Sequence, residues 1–269
     1  MAGQSSVGPM TAGRRTIPSG TVDEYYRRGW WRDRTLIDDF LDQVQRQPEA
    51  TAVVSLSSGR EPIRHTYAEL ELLSRRCAGA LIELGVQPGE AVSVQLPNTW
   101  EFAALVYGIL RAGAIANPLV PIFRHRELEF ILGRTRSRVL VVPDVLRGHD
   151  HGAMGLTLQG ELPDLEHVVV VGNAGEALSF ADFFAERAWE DASGLAAELE
   201  ARRPQPDDLV EIQFTSGTTG EPKGVLHSHN TVYSGGRSID EIYGLGSGDT
   251  CFMASTLAHQ TGFGYGMLK

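Results

Sequence analysis

Apolar residues along this chain change period again and again, from helical spacing to short continuous runs and back. Leu36, Ile37, Phe40, Leu41 and Val44 recur on one face and predict an amphipathic helix. Residues 51–56 are β-branched and apolar, and Ser58-Gly59 marks a turn into a second short strand. Thr66 followed by Glu69 is a capping-box pair for a helix that faces Leu70, Leu73, Cys77, Leu81 and Leu84 inward and stops at Gly85. Residues 91–96 predict a strand, and Asn98 with Glu101 predicts the cap of a helix carrying Phe102, Leu105, Val106 and Ile109. The runs at 138–142 and 167–171 are almost wholly apolar, as strands covered on both faces are. Ser179 is expected to open a further helix, 190–203 to form a polar Ala/Glu-rich one, and 209–214 to return to strand. Strands alternating with helices at these lengths predict an α/β fold of layered, mostly parallel sheets flanked by helices.

Composition narrows the class of partner. The chain has 269 residues and a formal net charge of −10, which argues against binding nucleic acid, since phosphate backbones call for a basic face. Its two cysteines, Cys77 and Cys251, form no CxxC pair, so neither a disulfide scaffold nor a structural zinc site is expected and a cytoplasmic location is. The most apolar stretch, 102–120, is interrupted by Arg111, Gly113, Asn117 and Pro118, and no membrane span is expected there. Residues 1–24, which open on a Gly/Ser/Thr/Pro-rich stretch, are expected to be a flexible tail. The aromatic residues Tyr25, Tyr26, Trp30 and Trp31 then anchor the incoming chain to the domain surface. The last residues, Gly266 to Lys269, resemble a first helical turn with no stop signal, and the chain is expected to be truncated there.

One segment carries chemistry: Thr215-Ser216-Gly217-Thr218-Thr219-Gly220-Glu221-Pro222-Lys223-Gly224, directly after a predicted strand. Glycines let backbone N–H groups approach an anion closely, hydroxyls add donors to phosphate oxygens, and lysine adds a full positive charge. This is the chemistry of a polyphosphate cradle. It departs from the P-loop of NTPases, which needs four residues between its glycines and a Gly-Lys-Ser/Thr ending. Here two residues separate Gly217 from Gly220, and Lys223 lies between Pro222 and Gly224.

Those ten residues resemble, position for position, the phosphate-binding signature of the adenylate-forming superfamily of acyl-CoA synthetases, aryl-acid ligases, adenylation domains and luciferases. Thr66-Tyr67-Ala68-Glu69-Leu70, Gly85-Val86-Gln87-Pro88-Gly89-Glu90, Leu96-Pro97-Asn98 and the run from Ala112 to Pro118 extend the resemblance. Leu257-Ala258-His259-Gln260-Thr261-Gly262 is similar to the family's next core motif, beside the acid pocket. Trp30-Trp31 and the His-Gln-Thr-Gly-Phe-Gly ending lean toward ligases of fatty or cyclohexanecarboxylate-type acids.

The resemblance implies that residues 25–269 are the N-terminal portion of the large adenylating domain, with the small C-terminal domain absent. It implies a reaction in which a small carboxylic acid attacks the α-phosphorus of ATP, giving an acyl-adenylate, after which coenzyme A forms a thioester. Thr215, Ser216, Gly217, Thr218, Thr219 and Gly220 would wrap the phosphates, Lys223 would help close the loop, and Thr218 or Thr219 would reach Mg²⁺. His259 would stand where the carboxylate enters, as donor or gate. Two other readings stay open: an aryl- or amino-acid adenylating module that loads a carrier protein, and a non-catalytic ATP-binding remnant. His227-Ser228-His229 is assigned to helix starting rather than to metal, and His149-Asp150-His151 to a solvated loop. Gly262, Gly264 and Gly266 suit either an acyl chain or close helix packing.

Overall fold

A computed structural model of the chain describes residues 18–57, 59–215, 222–246 and 248–268. Helices α1 (Ser19–Arg27) and α2 (Leu36–Arg46) lead into an antiparallel pair, β1 (Thr51–Ser55) and β2 (Ile63–Thr66). Then α3 (Tyr67–Glu83), β3 (Ala91–Val94), α4 (Trp100–Arg111), β4 (Ile115–Pro118), α5 (His125–Thr135) and β5 (Val139–Pro143) alternate. The small pair β6 (Val145–Leu146) and β7 (His149–Asp150) precedes α6 (His151–Glu161), β8 (His167–Val171) and β9 (Leu178–Ser179). A π-helical turn (Ala181–Glu186) and α7 (Leu195–Ala201) follow, then β10 (Leu209–Thr215), β11 (Lys223–Ser228), α8 (His229–Tyr243) and the single turn α9 (Gln260–Gly262).

Seven strands form one sheet in the order β11-β10-β4-β3-β5-β8-β9, parallel throughout except for the antiparallel pair β10–β11. Alternate residues feed two cores. Val139 and Val141 of β5 and Val169 of β8 pack under α3 and α4 with Cys77, Leu81, Phe102 and Leu105. Leu140, Val142, Val168 and Val170 pack on the opposite face against Leu128, Ile131 and Leu132 of α5 and Leu158 of α6. Helices on both faces are why β5 and β8 carry continuous apolar runs. The fold is α/β, as expected, in three layers. Among the described residues, no helix is long and apolar enough to cross a membrane.

The capping box of α3 forms as the sequence predicts: Glu69 N–H donates to Thr66 Oγ1 at 3.2 Å and Thr66 N–H to Glu69 Oε2 at 2.8 Å. Four expectations change. The helix expected over 190–203 shrinks to α7, because Gly194 has φ +88° and Trp189 is buried, its Nε1–H donating to Phe183 O at 2.6 Å. Asn98 does not cap α4, whose N-cap is Thr99 with no side-chain bond; the Asn98 amide is occupied elsewhere. His151 is no part of a solvated loop: it is fully buried, its ring nitrogens 3.1 and 3.2 Å from the carbonyls of His149 and Pro121, while Asp150 caps α6. Finally, α1 takes up residues 19–24 of the stretch expected to be a tail, with Val22 buried.

Candidate functional site

The signature lies on the β10–β11 hairpin, at the carboxyl end of β10. Thr215 is the register partner of Lys223 and Phe214 of Gly224, so the two ends of the signature face each other across the hairpin mouth. Thr215 Oγ1–H donates to Lys223 O at 3.5 Å. Both Thr215 and Lys223 are exposed. Ser216, Gly217, Thr218, Thr219 and Gly220 lie outside the described residues. β10 runs parallel to β4 and β3, so the hairpin mouth opens at the carboxyl edge of the sheet, where open α/β sheets bind their ligands. A hydroxyl and an ammonium at such an edge are donors suited to an anionic ligand.

His259 belongs to a separate segment that approaches the same edge. It is the N-cap of α9: its Nδ1 accepts from Thr261 N–H at 3.5 Å, and its carbonyl accepts from Phe263 N–H at 2.8 Å. Gln213 of β10 ties the two together, its Nε2–H donating to the carbonyl of Ala258 at 3.4 Å. One residue therefore separates His259 from a bond to the strand that ends in Thr215. The imidazole is exposed. Gly262 closes this segment tightly: a Cβ there would stand 2.1 Å from the carbonyl oxygen of Thr256. At Gly262, close backbone packing is therefore the reason for glycine.

Four positions before the end of β10 lies a residue that the sequence reading passed over. Glu211 of β10 is fully buried and pairs in register with His227 on one side and Ala116 on the other. Among the described residues, neither carboxylate oxygen has a hydrogen-bond partner. Burial alone pushes its pKa up to about 8, so near neutral pH it is held largely as the neutral acid. A charged residue inside the run Leu209-Val210-Glu211-Ile212 was the available signal.

The far end of the hairpin is clamped by the N-terminal segment. Ser228 caps α8 in a reciprocal pair with Thr231, the helix-starting role expected of this stretch. His229 is buried, its Nδ1 accepting from Leu36 N–H at 3.1 Å, and burial pushes its pKa down to about 4. Asn230 Oδ1 accepts from Arg32 N–H at 3.0 Å, and its Nδ2–H donates to Tyr26 Oη and Asp207. Trp31, buried, packs edge-on to Tyr25 and Tyr26, and the Arg32 guanidinium lies 3.6 Å from the ring centroid of Tyr233. The aromatic cluster is thus an anchor, as its sequence suggested.

A mostly parallel, three-layered α/β sheet with this loop at its carboxyl edge defines a class of nucleotide-handling proteins. The chain matches the AMP-binding enzyme family over residues 40–268 and belongs to that family. It is 30% identical over 253 residues to the 2-hydroxy-7-methoxy-5-methyl-1-naphthoate–CoA ligase of Streptomyces carzinostaticus, covering 93% of this chain and 44% of that protein. It is also 30% identical to the salicyl-AMP ligase / salicyl-S-ArCP synthetase of Mycobacterium tuberculosis, covering 90% of this chain and 42% of that protein. Among solved structures it is similar to apo MbtA of Mycobacterium smegmatis, with a TM-score of 0.79 and 31% identity over 94% of this chain and 44% of that one. The chain spans less than half the length of these relatives.

Proposed function

We propose that this chain is the N-terminal portion of the large domain of an ATP-dependent acid–thiol ligase, holding the phosphate loop and one wall of the acid pocket. The observation that carries this reading is the placing of the signature's described ends, Thr215 and Lys223, as register partners on a hairpin at the carboxyl edge of the sheet. Thr215 and the loop from Ser216 to Gly220 would donate to the phosphates of ATP, with Lys223 neutralising charge as the loop closes. Mg²⁺, held in part by the Thr218 hydroxyl, would share that neutralisation. His259 would meet the carboxylate of the acid, and coenzyme A would accept the acyl group. Val225 and Leu226 on β11 and Ile242 and Tyr243 at the end of α8 are exposed apolar residues that the rest of such a domain would cover.

Relatives that make CoA esters and relatives that charge carrier proteins match equally well, so a carrier-loading role is the second reading. Supplying coenzyme A against a phosphopantetheinylated carrier to the full-length ligase separates them. For the loop, Lys223→Ala and Thr218→Ala should impair acyl-adenylate formation far more than thioester formation from supplied acyl-adenylate. Equal losses in both half-reactions would remove the assigned role. The 269-residue chain alone should bind ATP no better than about millimolar, near −4 kcal/mol, because exposed phosphate contacts are individually weak. Micromolar binding by calorimetry, or acid-dependent pyrophosphate exchange by this chain, would contradict that.

A further inference from the structure

Asn98 follows β3, whose neighbours β4 and β5 lie on either side of it, so its loop sits at the same carboxyl edge as the hairpin, with β4 between them. Its side chain makes three hydrogen bonds to one distant stretch of backbone. Nδ2–H donates to Met253 O at 3.2 Å and to Ser255 O at 2.8 Å, and Oδ1 accepts from Leu257 N–H at 2.8 Å. Residues 251–257 belong to no helix or strand, so their backbone groups need partners from outside. Asn98 supplies three of them. From there the path to His259 is short: Thr256 O accepts from His259 N–H at 3.2 Å, and Gly262 packs on the same carbonyl. All three partners are backbone atoms, so the grip depends on the amide of Asn98 and not on which side chains stand at 253, 255 and 257.

We propose that Asn98 is a positioning residue for the acid: by holding 253–257 it sets where His259 and the adjoining pocket wall stand, independently of the phosphate loop. This rests on the ligase reading for its consequence, though not for the grip itself. An amide is needed because the site asks for two donors and one acceptor at once. An aspartate keeps the acceptor but turns an oxygen toward two carbonyl oxygens. If Asn98 served only to start α4, aspartate would replace it well, since both are good N-caps.

The test compares Asn98→Ala and Asn98→Asp. In the 269-residue chain, hydrogen exchange of the amides over 254–259 should quicken in both variants, while β3 and β5 amides keep their protection. In the full-length ligase, with octanoate or salicylate as probe acid, whichever supports the faster pyrophosphate exchange, KM for the acid should rise about tenfold in both variants, the weight of roughly one lost hydrogen bond. KM for ATP should stay within about twofold, a shift well under one such bond. Wild-type protection and wild-type acid KM in Asn98→Asp would overturn the proposal in favour of capping. So would a parallel rise of both KM values. If the full-length protein activates no acid, the ligase reading fails, while the exchange comparison still decides the grip.

Discussion

The two edges of the main sheet are built in opposite ways. At one end β9 is only two residues long, and the chain folds back over it: Phe180 and Phe184 are buried, with rings stacked 5.4 Å apart, and Ser179 Oγ accepts from Asp182 N–H at 3.2 Å. Such an edge offers almost no ladder to a stray strand. At the other end β11 is six residues long, with Val225 and Leu226 exposed. Between the edges lies a core where α4 is buried along nine consecutive positions from Phe102 to Leu110. The closed side stabilises the fold and the open side carries the candidate chemistry. Sites that must admit and release a ligand are drawn from the less self-contained part of a fold.

This contrast can be broken by substitution. The largest effect is expected at Glu211, buried in β10. Its carboxyl has a native pKa of about 8 against an ordinary 4.5, so its burial costs nothing below pH 4.5, costs more as pH rises to 8, and then levels off. Glu211→Gln should melt with the wild type near pH 4.5 and above it by pH 8, with an upper limit of about 5 kcal/mol. A constant difference across that range would show that the carboxyl is not held neutral. Phe102→Ala, in the core under α3 and α4, should lose about 3–5 kcal/mol in urea titrations; a loss below about 1 kcal/mol would deny that this face is the principal core. Gly108→Ala is next, because its Cβ would stand 2.4 Å from Cys77 Cβ and 3.1 Å from backbone atoms of α3. It should cost about 1–3 kcal/mol by overpacking. The smallest effect belongs to the open edge: Leu226→Lys should change stability by no more than about 0.5 kcal/mol while reducing self-association in light scattering. A large destabilisation there would mean that β11 is as integral as β5.

Much of this was legible in order along the chain. The capping box of α3 closes between residues three apart, and the apolar runs of β5 and β8 report burial on both faces. The signature pointed to the family without any structure. What escaped were residues whose partners lie far away. Asn98 has the sequence context of a helix cap, yet its partners are 155 to 159 positions distant. His151 sits in a polar run but fills a slot beneath the carbonyl of Pro121, 30 positions back. The helix expected at 190–203 lost its first turn to Trp189, whose indole packs on Phe183 with ring centroids 5.2 Å apart.

The sequence by itself determined the alternation of strands and helices, the strands buried on both faces and the resemblance of the signature to the family's motif. Each of these depends on residues within a few positions of one another, where periodicity, caps and turn chemistry act. Only the tertiary structure decided that β11 returns antiparallel beside β10, that Glu211 is buried with no partner among the described residues, that the N-terminal segment clamps α8, and that Asn98 holds the stretch before His259. Those outcomes depend on which segments the sheet order brings together. A polar side chain with several possible partners is assigned only when packing removes the others.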